Sequence, residues 1–196
     1  MNTAAPPGSK SLLHVGCGHY KPGKLPRTFA GPEWREIRFD IDPAVKPDII
    51  GTVTDMSNVE AQSVDAVWSS HNIEHVFAHE VQQVLGEFMR VLKPGGVVAI
   101  TCPDLQAIAA NIATGDLTAA VYMSPSGPVT SLDILFGHGP SIAAGQVYMA
   151  HRTGFTRQTL EQAVRQAGFS NVHCYHGDGH DLFVTAFKPA KKLAPV

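Results

Sequence analysis

The residues best suited to chemistry fall in short clusters, each placed directly after an apolar run. Gly16-Cys17-Gly18 follows SLLHV (11–15), and Asp40-Ile41-Asp42-Pro43 closes EIRFD (36–40). Thr54-Asp55-Met56 follows DIIGTV (48–53), and Ser69-Ser70-His71-Asn72-Ile73-Glu74-His75 follows VDAVW (64–68). Two glycines at a turn let a ligand approach the backbone, because no Cβ stands in the way. A carboxylate about 20 residues further on can accept both hydroxyl protons of a ribose, and Asp40 stands at that distance. Asp42-Pro43 reads instead as the start of a turn. Asp55 can accept from an adenine amino group while the Met56 thioether packs on the ring, with a loop cap as the competing role for Asp55. The dinucleotide fingerprint is broken, since Lys21 occupies the place of its third glycine.

The elements that would position these clusters alternate in kind. The apolar runs above read as strands, joined by VVAIT (97–101) and by strands over 171–175 and 181–187. From Ala78 to Lys93, apolar residues recur at three- and four-residue steps, which predicts a helix stopped by Pro94-Gly95-Gly96. A second helix is predicted over Arg157–Ala167. Thr156 caps it, Phe155 and Leu160 staple it, Gly168 ends it, and Phe169 folds back on Val164. Strands alternating with helices imply a mostly parallel α/β sheet with helices on both faces. In such sheets ligands bind beyond the carboxyl ends of the strands, where these clusters stand.

With those residues in place, the chain resembles the class I S-adenosylmethionine-dependent methyltransferases, in particular the small bacterial Methyltransferase-11-like group. LLHVGCG (12–18), FDIDP (39–43), SVDAVWSSHNIEHV (63–76), FMRVLKPGGVVAITCPDL (88–105) and GFTRQTLEQAVRQAGF (154–169) carry the resemblance. It implies a single Rossmann-like methyltransferase domain over 1–196, with a seven-stranded, mostly parallel sheet and an antiparallel last strand. It also implies S-adenosylmethionine as cofactor. By position, Gly16 and Gly18 would line its methionine part, Asp40 the ribose and Asp55 and Met56 the adenine, Ser69 and Ser70 would lie near the sulfonium, and Cys17 and Ile41 would be among the cofactor-binding residues. LKPGG would be a structural lead into the fifth strand. The chain departs from the pattern at His14, where the family usually has an acidic residue, and at Tyr20, which replaces a small one. Pro22, Pro26 and Pro32 keep a full first helix from forming. Residues 41–47 are too few for a helical crossover, so the helix set near strands 1–3 is expected to be reduced.

On this reading His71 or His75 is a general base or a substrate-orienting group, since an imidazole titrating near neutrality suits an alcohol, amine or phenol acceptor. The competing role for Glu74 and His75 is internal hydrogen bonding. His71 to His75 also spells H-x-x-E-H, the inverted zinc-peptidase pattern, which requires a helix and a further ligand; no metal is assigned. A zinc hydrolase is thus a third reading, behind methyl transfer and a non-catalytic cofactor-binding or assembly protein. His79 and Glu80 read as a solvated helix start, and His173, His176 and His180 as exposed. Residues 106–150 form an insertion. From Leu117 to His151 its side chains carry one formal charge, Asp133, which suits a lid and acceptor pocket or a homodimer interface. His151-Arg152 could meet an anionic acceptor or form a surface salt bridge.

Composition narrows the partners. Fifteen Lys+Arg against seventeen Asp+Glu leave a formal charge of −2, which offers no basic field for nucleic acid and favours a small-molecule acceptor. Three cysteines at no metal-like spacing, no secretory pattern in MNTAAPPGSK and no membrane-length apolar run predict a reduced cytoplasmic protein. Residues 1–10 and 188–196 read as frayed tails.

Overall fold

The computed structural model describes residues 8–124, 127–177 and 179–190. Seven strands form one sheet: β1 (Lys10–Val15), β2 (Trp34–Asp40), β3 (Ile49–Ile50), β4 (Val64–Ser70), β5 (Leu92–Pro103), β8 (Ser170–His176) and β9 (Asp181–Phe187). A separate hairpin, β6 (Ala120–Ser124) and β7 (Gly127–Thr130), lies between β5 and β8 in the chain. The sheet order is β3-β2-β1-β4-β5-β9-β8, parallel except where β9 pairs with β5 and β8. Strand order therefore reverses beside β1, between β2 and β4, and the carboxyl ends of β1, β2 and β4 meet there. The Asp48–Val53 run shrinks to the two residues of β3, because only Phe39 and Asp40 are left to pair with it.

Helices α1 (Val81–Val91) and α5 (Arg157–Gln166) pack on one face of the sheet. Leu85, Phe88, Leu160 and Val164 meet Leu13, Val67, Ile100 and Val184 in the main core. The apolar spacing of α1 made that stripe readable, but its end falls earlier than predicted. The helix stops at Val91, since Leu92 already pairs with Val64 and Lys93–Gly96 are drawn into the start of β5. The predicted α5 stands, with the Thr156 hydroxyl accepting from Thr159 N and Gly168 at φ +93°. Phe169 and Val164 share its core.

The other face corrects the expectation of helices on both sides. Leu12, Ala66, Trp68 and Ala99 pack there against Phe29 and Leu25 of the β1–β2 connection, and no α-helix contributes to that cluster. An aromatic row crosses it: Phe29 lies edge-on to Trp34 and 6.4 Å from Trp68, Trp68 lies on Phe183, and Phe183 lies on Tyr175. The reduced helix set is thus observed: residues 16–33 hold only the 3-10 turn Arg27–Phe29, and residues 41–48 only Pro43–Val45. The tails are shorter than expected. Lys10 already pairs with Trp34, and Lys188 N donates to Gly96 O while its ammonium holds Met89 O and Leu92 O. Residues 1–7 and 191–196 of the predicted tails lie outside the described residues. The insertion folds into α2 (Leu105–Ile112), the hairpin, α3 (Ser131–Phe136) and α4 (Gly139–Ala143), around Ile108, Val129 and Ile134.

Candidate functional site

A cleft of about 580 Å³ opens at the carboxyl ends of β1 to β4. Its floor is the glycine turn. Gly16 and Gly18 both hold left-handed φ, +61° and +56°, and a Cβ on Gly16 would lie 2.8 Å from Asn72 Cγ. Asp40, buried at the end of β2, braces the turn: Oδ2 accepts from Gly18 N at 2.7 Å and Oδ1 from Asp42 N at 2.9 Å. Arg38 ties the same turn to its neighbour, donating to Gly18 O, to Val45 O (3.1 Å) and to Lys46 O (2.7 Å). Lys24 donates to Cys17 O and borders the cleft; burial and the nearby Asp40 act on it in opposite senses, and the net shift is below the usual lysine value.

The structure brings Gly16, Gly18, Asp40, Ile41, Ser70, His71 and His75 to one cleft and leaves four expected contacts elsewhere. Met56 is fully buried in the main core, with its amide on Glu87, so it cannot lie on an adenine face. Asp55 is exposed and caps Ser57 N at 3.0 Å, the competing role. Thr52, Val53 and Thr54, just before them in the chain, line the cleft in their place. Ser69 is wholly buried, one residue short of the cleft. The Cys17 side chain is buried and faces a smaller cavity of about 150 Å³ on the other side of the turn. Burial pushes its thiol up to about 11. His14 borders that same cavity, with Nδ1 2.6 Å from Glu36 Oε1 and Nε2 unpartnered among the described residues.

The insertion supplies one wall, through Gln146, Tyr148 and Met149. Tyr148 Oη donates to Asp42 Oδ2 at 2.8 Å, a clasp between residues 106 apart in sequence. Burial and that bond push its phenol up to about 12. Asp42 Oδ1 meanwhile caps Ala44 N, as the turn reading expects.

After β4, H-x-x-E-H does not form an α-helix. Ile73–His75 is a single 3-10 turn, and His71 adopts φ +47°. The His71 side chain is 45% exposed and sits 3.4 Å from Glu74 Oε1 and 3.6 Å from Asp181 Oδ1. Burial opposes its charge, but the two carboxylates outweigh it and push the imidazole up to about 10. His75 Nδ1 lies 3.2 Å from Ala150 O, and His151 Nδ1 2.8 Å from Ile134 O. Burial holds His151 below the usual imidazole value. His151 is half-buried and forms no salt bridge among the described residues. Arg152 borders the cleft with its guanidinium 4.8 Å from the Phe77 ring and no ion-pair partner among the described residues. His180 is half-buried and 2.6 Å from Asn111 Nδ2, which corrects its assignment as exposed; His173 and His176 are exposed, and His176 pairs with Asp104 at 2.8 Å.

The architecture recurs in known proteins. Three solved structures share it: a SAM-dependent methyltransferase from Archaeoglobus fulgidus (14% identity, 92% of this chain and 87% of that one, TM-score 0.60), one from Methanosarcina mazei (15%, 95% and 96%, 0.59), and a putative methyltransferase from Bacillus halodurans (14%, 93% and 94%, 0.59). The chain has the class I S-adenosylmethionine-dependent methyltransferase fold. Residues 13–100 match the family model described as a methyltransferase domain, the domain whose cofactor is S-adenosylmethionine. No curated protein matches the sequence.

The residues present fit that cofactor. The cleft has the size of a small-molecule site. Each Asp40 oxygen accepts one backbone N–H, which leaves lone pairs for two ribose hydroxyls. Ile41 offers a 50% exposed apolar side chain toward a base, Lys24 offers a cation toward a carboxylate, and Asn72 Nδ2 is a buried donor without a partner among the described residues.

Proposed function

We propose that the protein transfers a methyl group from S-adenosylmethionine to a small-molecule acceptor. The cofactor supplies a methyl carbon on a sulfonium, ready for in-line displacement. The protein binds, aligns and excludes water. Asp40 takes the ribose. Ile41, Thr52, Val53 and Thr54 bracket the base, and Lys24 with the glycine turn takes the amino-acid end. Ser70, His71 and His75 surround the reacting end, under a wall made by Tyr148 and Met149. His71, within ion-pair range of Glu74 and Asp181, orients an acceptor. Arg152, free of an ion-pair partner among the described residues, suits an acceptor with an anionic group.

The observation that carries this reading is Asp40: a buried carboxylate that braces the glycine turn and still opens on the cleft. Calorimetric titration of the full chain with S-adenosylmethionine and S-adenosylhomocysteine tests it. One-site binding is expected, weakened at least about tenfold by Asp40→Ala. Absence of binding, or unchanged affinity in the variant, overturns it. A second reading, a non-catalytic cofactor-binding or assembly protein, is favoured by His14, which faces Glu36 instead of the cleft, and by a sheet face whose cluster has no α-helix among the described residues. Cofactor binding without turnover across a panel of hydroxyl, amine and carbon acceptors would select it.

A further inference from the structure

We propose that Glu74, His75 and His151 bind one divalent transition-metal ion of the zinc type at the wall of the cleft. One ligand atom from each residue lies within 4.8 Å of the others. The hydrogen bonds around them determine what each presents. A carbonyl oxygen only accepts, so the contacts of His75 Nδ1 with Ala150 O and of His151 Nδ1 with Ile134 O place a proton on each Nδ1. In the neutral rings each Nε2 then carries a lone pair, the arrangement in which a backbone carbonyl fixes a metal-binding imidazole. The two rings lie 4.9 Å apart at 66°.

The third group is the anomaly. Glu74 is 1% exposed, and neither carboxylate oxygen has a hydrogen-bond partner among the described residues. A buried carboxylate that makes no hydrogen bond is costly, and a metal cation held between it and the two imidazoles would offset that cost. Its nearest cation is His71, 3.4 Å from Oε1 but outside hydrogen-bonding geometry, and His71 also faces Asp181. The turn itself is secured: Glu74 O accepts from Arg152 N and Thr153 N, so residue 74 is tied to residues 152–153, directly after His151. Two imidazoles and one carboxylate suit zinc and its first-row neighbours better than calcium or magnesium. With bonds of about 2.0–2.2 Å, the ligand atoms must close by roughly an ångström, within reach of side-chain rotation.

This set differs from the H-x-x-E-H pattern, whose His71 is not part of the cluster; His151, beyond the insertion, replaces it. His75 borders the cleft, so the ion would stand beside bound acceptor. The following step rests on the methyl-transfer reading: a hydroxyl ligated to the metal loses its proton to solvent, and its oxygen pair forms the bond to the methyl carbon. The S–C bond breaks with its electron pair retained by sulfur.

Full-length protein stripped with chelator is titrated with Zn²⁺ by calorimetry, and with Co²⁺ by its visible absorption. The wild type and the exposed-site control His173→Gln are expected to bind one ion. Glu74→Gln and His151→Gln are expected to bind at least about tenfold more weakly. No saturable Zn²⁺ binding and no Co²⁺ spectrum in the wild type overturn the proposal, as does wild-type affinity in both variants. If a variant fails to fold by circular dichroism, the wild-type Co²⁺ spectrum decides: nitrogen and oxygen ligation supports the site, and the spectrum of aqueous cobalt overturns it. S-adenosylmethionine titration of the metal-free protein separates failure of this site from failure of the methyl-transfer reading.

Discussion

Replacing Gly16 with alanine tests how the cleft floor is built. The residue holds φ +61°, so an L side chain there carries about 1–2 kcal/mol of left-handed strain. The added Cβ would also lie 2.8 Å from Asn72 Cγ, 2.9 Å from its Oδ1 and 3.0 Å from its Cβ. The last contact is close to the Asn72 backbone, so the residue cannot simply swing away. Overpacking of this kind adds about 1–3 kcal/mol. Gly23 is the internal control: it has φ +74°, but a Cβ there meets nothing within 4 Å. Gly23→Ala should show the strain alone, and Gly16→Ala should be less stable than it by about 1–3 kcal/mol. For a domain of this length that is several degrees of melting temperature, at about 2–4 °C per kcal/mol. Urea unfolding measures both, and Gly16→Ala/Asn72→Ala completes a double-mutant cycle. Trimming Asn72 to its Cβ should return the part of the difference due to Cγ and Oδ1 and leave the 3.0 Å contact with Cβ. Equal destabilisation at positions 16 and 23, or strict additivity in the cycle, would show that the Asn72 contact does not require the glycine.

Three further outcomes follow from particular contacts. Met56→Ala should destabilise by about 2–5 kcal/mol in chemical unfolding while cofactor affinity of the folded protein stays within a few-fold; a large affinity loss at unchanged stability would return Met56 to the cleft. Glu87 is held below the ordinary glutamate value of 4.5 by Arg90, against burial, with help from the Met56 amide. A depressed carboxylate stabilises fully above that value and loses its contribution as pH falls, so the stability gap between wild type and Glu87→Gln should narrow on acidification, and a constant gap would contradict it. His71→Ala should lower turnover more than cofactor affinity, and the reverse pattern would make His71 structural.

Much of the fold was legible because the parallel strands are short runs that end in glycine, aspartate or serine, and α5 carries its own cap, staple and stop. The end of α1 was not, because Val91 and Leu92 are both apolar and only pairing with Val64 makes the second a strand residue. At the site, Gly16, Gly18 and Asp40 were readable from backbone requirements and spacing. Met56 was misplaced because local sequence does not say which way a short turn faces. Lys24, Asn72, Tyr148 and Arg152 were not singled out for cofactor binding, since long-range contacts such as Tyr148 with Asp42 leave no periodic trace. The hairpin at 120–130 went unpredicted for a related reason: its strands are mostly exposed and lack apolar alternation.

The side of the sheet where Phe29 and Leu25 pack has a practical consequence. Both tryptophans of the chain, Trp34 and Trp68, stand in its aromatic row, and neither borders the cleft. Indole emission therefore reports on the back of the molecule: it should stay dark to cofactor loading and respond to unfolding or to anything seated over that row, giving two events in one protein separate signals.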